Sequence, residues 1–94
     1  MPEMTFRVRW PDGGVETCYS PSLVIKDYFE PGGAYALDDF LERSRTALQI
    51  ASERVQAKYG FACSRALGQL ARIEAAAQRF PVKDAIVTLE SFQE

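Results

Sequence analysis

The chain of 94 residues contains no histidine. Its absence excludes Ser-His-Asp and Cys-His activation of a nucleophile, the side chain that titrates nearest neutrality, and the commonest metal ligand. An enzyme built on this chain alone would have to use carboxylates, a thiol, a lysine or a borrowed cofactor, and the balance of expectation is against an enzyme. Cysteine is scarce too. Cys18 and Cys63 are too few for a disulfide-stapled secreted scaffold, and their wide separation is a poor metal signature beside a C-x-x-C pair. No apolar run approaches the ~20 residues that span a bilayer, and Met1 is not followed by a basic and then apolar leader. The expectation is a cytoplasmic protein with no membrane partner. Lys and Arg number 11 against 13 Asp and Glu, so nucleic acid finds no basic footprint. Phosphate-cradling glycine loops, zinc ribbons and nucleophile elbows are missing, and no cofactor, metal or catalytic residue is assigned.

What is present is a foldable amphipathic chain. Apolar residues make up 47% and charged residues 26%, without low-complexity runs, and residues 1–94 are expected to form one domain. Its organising stretch runs from Leu37 to Phe80 and reads as a helical hairpin. Asp39 followed by Glu42 resembles a capping box. Phe40, Leu41, Ala47, Leu48, Ala51, Val55 and Tyr59 then recur at helical spacing, and Gly60 suits a left-handed C-cap. The second stripe is Ala66, Leu67, Leu70, Ile73, Ala77 and Phe80, stopped by Pro81, and the alanines at 66, 71, 75, 76 and 77 would permit close helix approach. Helices are expected over about 39–59 and 64–80.

The flanks read as strands. Met4, Phe6, Val8 and Trp10 alternate with Thr5, Arg7 and Arg9, the period of a half-buried strand. Pro11-Asp12-Gly13-Gly14 is a turn, and residues 15–19 return as the second arm of a hairpin. Val15, Thr17 and Tyr19 are expected inward, with Glu16 and Cys18 sharing the outer face with Arg7 and Arg9. Residues about 22–29, after Ser20-Pro21, suit a short helix, although Leu23-Val24-Ile25 leaves an extended alternative open. A third strand over about 85–92 would put Ala85, Val87 and Leu89 on one side and Ile86, Thr88, Glu90 and Phe92 on the other. The expected class is α+β: a three-stranded antiparallel sheet, hairpin plus C-terminal strand, packed against the helical hairpin.

Two places could carry function. At the second helix start, Cys63 or Ser64 would cap, and Arg65 opposes the helix dipole unless it meets an anion. The sharper reading is a small-anion site or reactive thiol; the plainer one is a cap with a surface arginine. The other place is a surface. Trp10 beside Arg7 and Arg9 could be a stacking platform or a core tryptophan next to solvated arginines. Ile50, Ile86 and Phe92 hint at an apolar contact, for which a second copy of the chain is one use. Asp38-Asp39 is explained by helix capping.

The segments Trp10-Pro11-Asp12-Gly13, Cys18-Tyr19-Ser20-Pro21-Ser22-Leu23, Ser44-Arg45-Thr46-Ala47-Leu48, Ala51-Ser52-Glu53-Arg54-Val55 and Tyr59-Gly60-Phe61-Ala62-Cys63-Ser64-Arg65-Ala66 resemble a small bacterial family described as a nitrogen-starvation response family. That resemblance covers nearly the whole chain. It implies a gene cluster shared with a nitrilase, a radical S-adenosylmethionine protein, a flavin-dependent oxidoreductase and an acetyltransferase-like protein, and it brings no active site. The expectation is a non-enzymatic accessory or interaction protein of a nitrile-type nitrogen-scavenging pathway, partnered by the nitrilase, radical or flavin enzyme. The alternative is a metabolite binder or thiol-dependent enzyme centred on Cys63 and Arg65.

Overall fold

A computed structural model describes residues 3–61, 63–82 and 84–94. Met1, Pro2, Ala62 and Lys83 lie outside the described residues, Ala62 among those that carry the family resemblance. Along the chain run β1 (Met4–Arg9), β2 (Val15–Ser20), a short α1 (Ile25–Tyr28), β3 (Gly33–Ala36), α2 (Leu37–Tyr59), α3 (Ser64–Ala77) and β4 (Ile86–Gln93). The class is α+β, as the sequence implies. The sheet, however, has four strands in the order β2-β1-β4-β3, all antiparallel, where three were expected.

The added strand follows the turn at Pro31-Gly32-Gly33. Gly32 takes φ +78°, the positive φ that the third position of a type II turn demands after proline. The Gly33 N–H donates to Glu30 O at 2.9 Å, and residues 33–36 then pair with β4. Gly33 lets the Tyr35 ring close over its own strand, since a Cβ there would sit 2.6 Å from Tyr35 Oη. Two alanines, a glycine and a tyrosine carry no alternating signal. The expected helix over 22–29 shrinks to four residues because a serine relay takes its first half. Ser20 Oγ donates to Ser22 O at 2.7 Å, and Ser22 Oγ accepts from Val24 N, which holds a turn where the helix would begin.

The hairpin exists, but the facing of β2 is opposite to expectation. Trp10 N–H donates to Gly14 O at 2.8 Å, Gly13 takes φ +87°, and Asp12 Oδ1 accepts from Gly14 N. That five-residue link pairs Phe6 with Cys18 and Met4 with Ser20. Directly paired residues share a face. Cys18 and Ser20 are therefore buried with Phe6 and Met4, while Val15 and Thr17 are exposed. Glu16 does not pair with Arg7 or Arg9; it accepts from Trp10 Nε1 at 3.2 Å.

β4 departs from simple alternation as well. Val8 pairs with Leu89 but Arg7 with Ser91, so Glu90 is the extra residue of a bulge. Val87 and Leu89 are buried as expected, yet the bulge turns Phe92 inward, opposite Phe6 and against the core. Glu90 is left between two arginines, 2.7 Å from Arg9 Nε and 4.0 Å from Arg7 Nε.

Both long helices pack on the inner face of the sheet. Leu37, Phe40, Ala47 and Leu48 of α2 and Leu70, Ile73 and Ala77 of α3 join Met4, Phe6, Val8, Val87 and Leu89 in one cluster. Trp10 lies edge-on to Phe40 at 5.6 Å and stacked on Phe80 at 6.1 Å, arrangements worth about 0.5–1.5 kcal/mol beyond burial. Helix α2 starts two residues before the expected Asp39, capped by the extended backbone of Ala36 with no side-chain cap. Asp39 instead accepts from Arg43 Nε at 2.9 Å. Gly60 closes the helix at φ +86°. Helix α3 ends at Ala77, three residues short of the expected end. Tyr59 and Leu67, counted in the sequence stripes, are 52% and 45% exposed, and Ala71 and Ala75 also face solvent.

These placements separate two substitutions that the sequence pattern treats alike. Phe40→Ala should cost about 3–5 kcal/mol by opening a cavity against Trp10 and Phe29. Tyr59→Ala should stay within about 0.5 kcal/mol. Urea unfolding of both variants checks the pair.

Candidate functional site

Helix α3 begins beside β2. Cys63 occupies its N-cap position in extended conformation, but its side chain makes no cap hydrogen bond, and no acidic residue lies in the first turn. Ser64 is the exposed first helical residue. Arg65 reaches across the edge strand, and its guanidinium carbon sits 3.9 Å from the centre of the Tyr19 ring. Tyr19 pairs with Thr5 and so stands on the outer side of the sheet, which is why an arginine wrapping round the edge meets its face. A contact of this kind contributes about 0.5–1 kcal/mol at an exposed position.

Two shallow clefts flank this stack. One, of about 270 Å³, is lined by Tyr19, Ser64, Arg65, Gly68 and Arg72. The other, of about 260 Å³, opens past Glu3, Thr5 and Gln93. Arg65, Gly68 and Arg72 fall at i, i+3 and i+7 and share one helix face. Behind the first cleft, Gln69 is 2% exposed. Its Oε1 accepts from Tyr19 N at 3.0 Å and from Arg72 Nη2 at 3.3 Å. One buried amide thus caps an edge-strand N–H and steadies Arg72. Gln69 Nε2 has no partner among the described residues.

Tyr19 Oη donates to Glu3 Oε2 at 2.9 Å. Partial burial, this hydrogen bond and the Glu3 charge push the phenol up to about 12, against the pull of Arg65. The Glu3–Arg65 pair itself is 4.0 Å apart and open to water, so it adds little. Burial, with the nearby Glu16 charge, pushes the Cys18 thiol up to about 12 as well. Cys63 is half-buried and free, and Cys18 is buried and free. No group of three or more His, Cys, Asp or Glu that could hold a metal occurs among the described residues.

The candidate surface residues fall in different places. Arg7 and Arg9 project from the outer face, bridged through Glu90. Ile86 lies on that same face at 53% exposed. Trp10 is 3% exposed and belongs to the core, Phe92 packs inward, and Ile50 is half-buried on α2. Sequence reasoning missed Tyr19, Gln69 and Arg72 at the α3 cleft. Arg72 was findable from its seven-residue spacing to Arg65, whereas Tyr19 was hidden by the facing assigned to β2.

Against known proteins, one family model matches residues 5–92 and is described as nitrogen starvation-induced protein NitG. No curated protein and no solved structure matches.

The two thiols should behave differently. At pH 8 a small alkylating reagent is expected to modify Cys63 in the folded protein and spare Cys18 until unfolding; equal labelling by mass spectrometry would contradict the burial. The folded state holds the Tyr19 proton more tightly than the unfolded chain. Its contribution is therefore complete below pH 10 and lost as the pH rises towards about 12. Glu3→Gln should lower the Tyr19 midpoint, read from phenolate absorbance.

Proposed function

The chain belongs to the nitrogen starvation-induced protein NitG family, and from that membership we propose a small, non-enzymatic accessory protein that works by docking onto a partner protein. The observation that carries this reading is the uncovered face of the sheet. Among the described residues the helices lie on the inner side or at its margins, so four strands present a broad outer face that carries Arg7, Arg9, Thr17, Ile86 and the half-buried Thr88. Ile86 and Val15 are 53% and 45% exposed there, apolar anchors beside a charged triad. Such a mixture of apolar and arginine contacts suits a protein partner. A chain without histidine offers little of its own for acid–base chemistry.

The setting proposed is the cytoplasmic nitrogen-starvation response, in a nitrile-type scavenging pathway. The proposed partner is one of the enzymes that the family resemblance places in the same gene cluster: the nitrilase, the radical S-adenosylmethionine protein or the flavin enzyme. The Arg9–Glu90 pair sits on the platform surface and contributes at most about 1 kcal/mol to folding, so the face can be altered without losing the fold.

Affinity purification from nitrogen-starved cells, with the wild type and an R7E/R9E/I86S variant side by side, tests the reading. The wild type should retain a cluster enzyme, and the variant should lose at least tenfold of it while its melting temperature shifts by no more than a few degrees. Equal recovery by both chains would remove the platform, and a wild type that carries no protein would remove the accessory role.

A further inference from the structure

We propose that the cleft between β2 and the start of α3 is a binding site for a small anion, a carboxylate or a phosphate. Its lining is Tyr19, Ser64, Arg65, Gly68 and Arg72: two guanidiniums, two hydroxyls and a helix residue without a side chain. None of the lining residues is a carboxylate, and the chain as a whole is acidic with net charge −2. Positive charge concentrated in a recess of an acidic protein marks a place where an anion is favoured.

Each cation is held in place by contacts that leave donors free. Arg65 stacks by its face on Tyr19 at 3.9 Å; the Glu3 carboxylate stands 4.0 Å from Nη1 in an exposed, weak pair, so the guanidinium edge keeps N–H groups to donate in the fork geometry that carboxylates and phosphates accept. Arg72 leans on Gln69 Oε1 at 3.3 Å and has no ion-pair partner among the described residues. Holding an arginine in its bound geometry before the ligand arrives lowers the ordering cost of binding.

The two walls of the cleft are also tied together. Gln69 is buried, and its amide oxygen touches both walls, the Tyr19 N–H and Arg72. The first turn of α3 adds backbone N–H groups that the Cys63 side chain does not cap, at the positive end of a 14-residue helix. Gly68 keeps the middle of the cleft open, since a Cβ there would meet nothing within 4 Å.

The test is a nitrogen–proton NMR titration of the full chain with inorganic phosphate, with succinate, and with sodium chloride at matched ionic strength. Saturable shifts confined to Ser64, Arg65, Gly68, Gln69 and Arg72 are expected with phosphate, succinate or both, and not with chloride. Saturation by phosphate alone assigns a phosphate ligand, and by succinate alone a carboxylate. Arg65→Gln with Arg72→Gln should weaken binding at least tenfold. Because that pair also removes the Arg65–Tyr19 stack and the Arg72–Gln69 hydrogen bond, Gly68→Glu is the second variant: its side chain enters open space on a helix, so the fold is kept while a carboxylate fills the cleft and binding is lost. Gly68→Ala should bind as the wild type does. Shifts that are linear and shared with chloride would overturn the proposal, as would saturable binding that survives Gly68→Glu. Either result leaves the docking role of the sheet face untouched.

Discussion

Trp10 gives its backbone N–H to Gly14 O across a link in which Gly13 takes φ +87°, and every cross-strand pair that follows inherits its register from that bond. A link one residue shorter or longer would turn the whole of β2 over, because successive strand residues face opposite sides. With five residues the pairs are Val8–Glu16, Phe6–Cys18 and Met4–Ser20. The small Cys18 and Ser20 are then buried on the inner face. Tyr19 goes outside, its phenol towards Glu3 and its ring face towards Arg65.

The same register sends the Tyr19 N–H away from β1, to the open edge of the sheet. An unpaired edge invites pairing with another chain, and here Gln69 of α3 supplies the missing acceptor. One hydrogen bond therefore joins edge protection, the seating of α3 and the rear wall of the cationic cleft. At the other side of β1 the bulge at Glu90 sets the outer face. It holds Arg7 and Arg9 around a single carboxylate and brings Phe92 back to the core. Both candidate regions, the platform and the cleft, are consequences of how β1 is paired on its two sides.

Much of this was readable from the residues because burial has a period. The alternation from Met4 to Trp10 and the helical stripes through Phe40, Leu48, Leu70 and Ile73 report burial directly, and Gly60 marks a helix end by the φ it alone adopts freely. Four features were not readable. The facing of β2 depends on loop length, and Val-Glu-Thr-Cys-Tyr-Ser carries apolar residues on both faces. Strand β3 is a glycine, two alanines and a tyrosine, and its strand character comes from β4 beside it. The bulge at Glu90 inserts a single polar residue into a pattern that otherwise continues to Phe92. The Arg65–Tyr19 stack joins residues from the start of α3 and the end of β2, so local spacing in either segment is silent about it.

The most direct measurement of the hairpin register is a set of cross-strand nuclear Overhauser contacts. In an antiparallel pair, residues opposite each other without mutual backbone hydrogen bonds bring their Cα atoms closest, about 4.5 Å apart. The register described here predicts strong Hα–Hα contacts for Arg7 with Thr17 and for Thr5 with Tyr19. Contacts of Arg7 with Glu16 or Cys18 in their place would mean that β2 is turned over, and the cleft, the edge cap and the platform would all have to be redrawn.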